Sequence, residues 1–118
     1  MDRSKFIKEL KDSEVMSDNC IEDILNRSIE NNIGDGNPRG HRNLIICQEE
    51  LSELTKEISK ELRGKGDRVN ILEELADVQI SIYYIQNICH ITGSELDKAI
   101  AVKMKRVDDI LTSNGIFK

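Results

Sequence analysis

Two short acidic phrases mark the chain. Glu49-Glu50-Leu51-Ser52-Glu53-Leu54 is answered by Glu73-Glu74-Leu75-Ala76-Asp77-Val78. In each, a leucine has one acid just before it and another two places after it. On a helix of about 3.6 residues per turn, Glu50 and Glu53 fall roughly 100° and 160° to one side of Leu51. Glu74 and Asp77 take the same angles beside Leu75. Two helices packed antiparallel along their leucine stripes would therefore bring four carboxylates together at one edge. Crowded carboxylates repel and raise one another's pKa. A hard divalent cation reverses that penalty, and oxygen-only ligands suit magnesium, with manganese a possible substitute. Such a centre can hold a polyphosphate that bare acids would repel, and can orient it for attack by water.

Each phrase alone reads as an ordinary solvated helix face, because glutamate is a strong helix former. The repetition at one phase, on neighbouring helices, favours the metal. Glu49 and Glu73 point farther from the seam and are expected in solvent. Glu57, one turn after Glu53, keeps the phase and either joins the acids or pairs with Lys60.

The elements that must position these acids are helices. All seven glycines and the single proline fall where a helix would stop. The spans 42–62, 68–91 and 95–112 contain neither residue. Asp67 is placed to cap the second span, Gly93 to follow its end, and Ser94 with Asp97 to open the third. Before them, 4–11 predicts a short helix, and Ile21, Ile24, Leu25, Ser28 and Ile29 a better one. Each long span carries one apolar stripe: Leu44, Cys47, Leu51, Leu54, Ile58 and Leu62, then Ile71, Leu75, Val78, Ile82, Ile85 and Cys89, then Leu96, Ala99, Ile100, Met104, Val107 and Leu111. The reading is an all-α antiparallel bundle of four to five helices in one domain, 1–118. An N-terminal segment, 1–40, precedes the motif-bearing helices of 41–112. Few large side chains are available to bury, so completion by homo-oligomerisation is expected.

With the acids placed, the chain resembles the MazG-like, all-α nucleoside triphosphate pyrophosphohydrolases, whose signature is E-x-x-E followed after a variable gap by E-x-x-D. Here these are Glu50-x-x-Glu53 and Glu74-x-x-Asp77, with residues 54 to 73 between them. The likeness runs from about residue 43 to residue 106, and the first forty residues carry none of it. It implies magnesium-dependent hydrolysis of a (deoxy)nucleoside triphosphate to the monophosphate and pyrophosphate, by water attacking the α-phosphorus. Glu50, Glu53, Glu74 and Asp77 would hold the metal, and Glu50 or Glu53 would take the proton. Dimers or tetramers are implied as well. A narrower substrate such as dUTP, dCTP or phosphoribosyl-ATP is the alternative within the enzymes. The alternative outside them is a non-catalytic helical protein that oligomerises through its leucines and keeps its acids in solvent.

On the last span Lys103 falls within the apolar stripe with Arg106 beside it. Either they neutralise phosphate oxygens, or the lysine snorkels to water and the arginine makes a surface ion pair. The resemblance favours the phosphate role for Lys103. For the base, His41 at the start of the first long span and Tyr84, about two turns past Asp77, are the candidates.

Composition narrows the classes. With 33% charged residues, 3% aromatic, no Trp and a net charge of -5, neither nucleic acid nor an anionic membrane is an expected partner. No apolar run approaches the roughly 20 residues of a membrane span, and no secretory-type stretch follows Met1. Cys20, Cys47 and Cys89 are scattered singly among aliphatics and read as small buried hydrophobes. A cytoplasmic address is expected.

Overall fold

The computed structural model describes residues 3–34 and 36–114. It has five helices, α1 (Arg3–Asp12), α2 (Asp18–Asn31), α3 (His41–Leu62), α4 (Arg68–Ile88) and α5 (Gly93–Asn114). Among the described residues there is no strand, only an isolated bridge between Gly34 and Asn37. None of the helices is long and apolar enough to cross a membrane. The fold is all-α. The chain divides into two compact units, Met1–Ile85 and Gln86–Lys118, with the division inside α4.

In the first unit α3 and α4 form an antiparallel hairpin. Gly64, at φ 74, lets the link between them turn sharply. Asp67 ends that link as the expected cap: its Oδ1 accepts from the backbone N–H of Val69 at 2.9 Å and of Asn70 at 3.2 Å. Arg3 of α1 pairs with the same carboxylate at 2.7 Å. Where the two helices touch, small side chains permit close approach, and the Cys47 Sγ–H donates to the Ser81 carbonyl at 3.6 Å.

α2 opens on Ser17, whose side chain accepts from the Cys20 N–H. It supplies Leu25 and Ile29 to the core, whose other buried hydrophobes among the described residues are Cys47 and Val78. Its Ser28 Oγ accepts from the Tyr84 hydroxyl at 2.8 Å and from Asn43 Nδ2 at 3.4 Å. Asn43 Oδ1 in turn accepts from Asn32 Nδ2. The Ser28 hydroxyl thus ties α2 to the buried Asn43 amide of α3 and to Tyr84 of α4.

The hairpin packs along different lines from those the apolar stripes predict. On α3 the covered row is Asn43, Cys47, Glu50, Leu54 and Glu57; on α4 it runs through Glu74, Asp77, Val78, Ser81 and Ile85. Each row is turned from its leucine stripe by about 65°, toward the acids. Leu51 and Leu75, expected at the seam, are 44% and 50% exposed. The reason is steric: cysteine, serine and valine at the contact let the backbones approach more closely than leucine would. Because the helices are antiparallel, equal turns leave both leucine edges on one side of the hairpin.

Two of the three cysteines also depart from expectation. Cys47 is buried, but Cys20 and Cys89 are exposed free thiols. In the second unit α4 ends three residues earlier than predicted. His90, at φ 58, takes the left-handed position that usually follows a helix, and the Ile91 N–H bonds back to the Gln86 carbonyl at 2.8 Å. Gly93 is therefore inside α5 rather than after α4. The cap is Thr92 rather than Ser94: Thr92 Oγ1 accepts from the Glu95 N–H and Glu95 Oε1 from the Thr92 N–H, both at 3.1 Å. This reciprocal box forms because Glu95 stands three places after a threonine and can reach back to it. Along α5, among the residues whose burial is described, Leu96 and Val107 are half-buried, while Ile100, Met104 and Leu111 stay exposed.

Candidate metal centre

The turned packing of the hairpin is what assembles the acids. Glu50 from α3 and Glu74 and Asp77 from α4 each place a carboxylate oxygen within 4.8 Å of the others. All three are half-buried. The i, i+3 spacing of Glu74 and Asp77 puts them on adjoining turns of one face, and antiparallel pairing sets Glu50 across from both.

The cluster is electrostatically unrelieved. Burial raises the Glu50 carboxyl above the usual carboxylate range, and the neighbouring Asp77 charge raises it further. When protonated, Glu50 donates to Asp77, which adds to the same shift. Glu74 is raised for the same leading reason, burial, followed by the charges of Asp77, Glu50 and Glu53. Glu74 Oε2 is shut off from solvent and has no hydrogen-bond partner. An all-oxygen donor set with an orphaned carboxylate oxygen fits a hard divalent cation, since a cation at this point would satisfy the oxygen and reverse both shifts.

Glu53 stands at the rim. Its charge is felt by both Glu50 and Glu74, but its carboxylate is exposed and takes an ion pair from Lys56 at 3.1 Å. Three of the four acids flanking Leu51 and Leu75 therefore converge, and the fourth, Glu53, stands beside them. Glu57 is 9% exposed; its Oε1 accepts from Lys60 at 3.1 Å, the pairing weighed for it, while Oε2 is buried without a partner. Glu49 is in solvent as expected, whereas Glu73 is half-buried, because the turn of α4 carries it partly under cover.

The remaining candidates lie elsewhere. His41, the first residue of α3, is exposed and lines an open hollow of about 450 Å³ with Leu44, Ile45, Cys47, Gln48, Leu51 and Ile85. Tyr84 is half-buried with its hydroxyl engaged by Ser28, so a base could meet only its ring. Lys103 and Arg106 lie on α5, in the second unit, with both heads exposed. Lys105 beside them is held by Asp109 at 2.6 Å. The Asn43–Ser28–Tyr84 network escapes a reading based on apolar periodicity, because its members are polar. Its signal was the spacing of four and three from Asn43 to Cys47 to Glu50.

Compared with known protein families, with curated proteins and with solved structures, the chain matches none.

Proposed function

We propose that the protein is a magnesium-dependent pyrophosphohydrolase acting on nucleoside triphosphates, (d)NTP and water giving (d)NMP and pyrophosphate. The observation that carries this reading is the convergence of Glu50, Glu74 and Asp77 with an unpartnered, buried carboxylate oxygen among them. Glu50, Glu74 and Asp77 would hold the cation, with Glu53 completing the set from the rim. Bound there, magnesium supplies charge neutralisation and orientation for the triphosphate and acidifies an attacking water. The protein's own contribution is positioning. The hairpin fixes the acids before substrate arrives, and Glu53, exposed and one turn from Glu50, is placed to accept a proton from water at the rim. Lys103 and Arg106 enter through the resemblance alone, as phosphate contacts. His41 and the Tyr84 ring are the residues proposed to meet the base. Free thiols suit a reducing compartment, and we place the protein in the cytoplasm as a homo-oligomer.

The test is direct. With magnesium, the purified protein should release pyrophosphate from at least one member of a panel that includes the dNTPs, dUTP, dCTP and phosphoribosyl-ATP. Asp77→Asn should lower the rate by about 100-fold or more with helix content unchanged. Absence of pyrophosphate across the whole panel would leave the non-catalytic helical scaffold, the reading favoured by the many exposed aliphatic side chains.

A further inference from the structure

α2 lies along the side of the hairpin that carries the acids. Its Ser28 touches both Asn43 of α3 and Tyr84 of α4. Asn43 and Glu50 are seven residues apart, two turns on one helical face, and so are Tyr84 and Asp77. The furrow that holds Ser28 is therefore the furrow in which Glu50 and Asp77 meet, about 10 Å farther along.

Burial gives the direction of α2. Leu25 and Ile29 are buried, so the body of the hairpin must stand beside them. Toward the end away from the link little helix remains, because α3 begins at His41 and α4 ends at Ile88. Arg3, paired with Asp67, also ties α1 to the link end, about 25 Å from Ser28 along the hairpin, and α2 covers much of that distance by running antiparallel to α3. Two turns before Ser28, Ile21 is then level with Glu50 and Asp77. The burial pattern agrees: from Asp18 to Ile24, Ile21 alone is half-buried and every other residue is exposed.

We infer that Ile21 is a positioning residue of the metal centre, walling the acids on their α2 side so that a bound cation keeps less water and phosphate enters by the Glu53 rim. This deepens the pyrophosphohydrolase reading and rests on it. Isoleucine offers a cation no lone pair, and its neighbours Asp18, Asn19, Cys20 and Glu22 carry no positive charge, so this side neither ligates metal nor attracts phosphate. What it supplies is exclusion. The branched side chain is stiff at χ1, which keeps the wall in place. Closing one side of a carboxylate cluster with an aliphatic group lowers the local dielectric and strengthens its hold on a divalent cation.

Manganese tests this without substrate, because bound Mn2+ speeds the relaxation of water protons according to the waters it keeps. In a titration of the full chain, the wild type should bind Mn2+ saturably. Ile21→Ala should weaken binding about 10-fold. It should also raise the relaxation enhancement per bound ion by about a third to a half, the effect of one water added to two or three. Ile21→Val, which keeps the branch, should restore both values to within about 2-fold. Ile24→Ala, at an exposed position of the same helix, should change neither. Ile21→Thr keeps the shape of valine but is polar, and should raise the enhancement even if Ile21→Ala fails to fold. A merely structural isoleucine would shift the melting temperature and leave the enhancement alone. Equal affinity and enhancement in the wild type and the Ala and Thr variants overturn the wall and leave the metal centre standing. A wild type that binds no Mn2+ removes the metal centre, and the wall with it.

Discussion

Glu74 shows the conflict built into the candidate site. Its carboxyl is raised by burial and by neighbouring acids, so the folded chain binds that proton more tightly than the unfolded chain does. The sign follows: without a cation, stability falls as pH rises from the ordinary carboxylate value through the raised folded one, and the loss is complete above it. Glu50 acts in the same sense. Glu74→Gln should therefore raise the melting temperature in EDTA at pH 7 by about a few degrees. It should also flatten that limb of the pH profile and remove any stabilisation by magnesium. A lower melting temperature in EDTA would show instead that the carboxylate is a structural partner. Asp67 has the opposite sign. The Asn70 and Val69 amides and the Arg3 charge hold its carboxyl below the usual range, so its contribution is present at neutral pH and fades as pH falls below the ordinary carboxylate value.

The helices were legible because glycine, proline and capping residues punctuate the chain at the right places. Asp67 capped as its position foretold, and the five elements lie within a few residues of the spans read from periodicity. The start of α5 departs from the span that periodicity predicts because two overlapping boxes compete: Ser94 with Asp97, and Thr92 with Glu95. The longer glutamate closes its box onto Thr92, and the left-handed His90 ends α4 early enough to allow it. Thr92→Ala should accordingly cost about 1 kcal/mol in a urea titration, and Ser94→Ala less than about 0.5 kcal/mol. Equal costs, or a larger one at Ser94, would restore the box read from sequence.

For the chain as a whole, the useful quantity is the linkage between cation and stability. A cation that binds only the folded chain adds about 2.7 kcal/mol at one hundred times its dissociation constant. A magnesium or manganese titration followed by thermal unfolding should saturate with an increment of that order. The scaffold with solvated acids would show no saturable response. The core is thin: among the described residues Leu25, Ile29, Cys47 and Val78 are the buried hydrophobes, and Ile29 alone is fully enclosed, at 0% exposure. Increments of this size are therefore a large share of what holds the chain folded.

What the sequence determined by itself was local. Punctuation and the 3.6-residue period set an all-helical chain, and the repeated acid phrases put four carboxylates at matching phase on successive helices. The phase at which those helices meet was decided only in three dimensions. Periodicity reports where apolar groups lie, but contact follows the backbones' closest approach, which small residues such as Cys47 and Ser81 permit and leucine does not. That turn of about 65° took the leucines out of the seam and drew Glu50, Glu74 and Asp77 together.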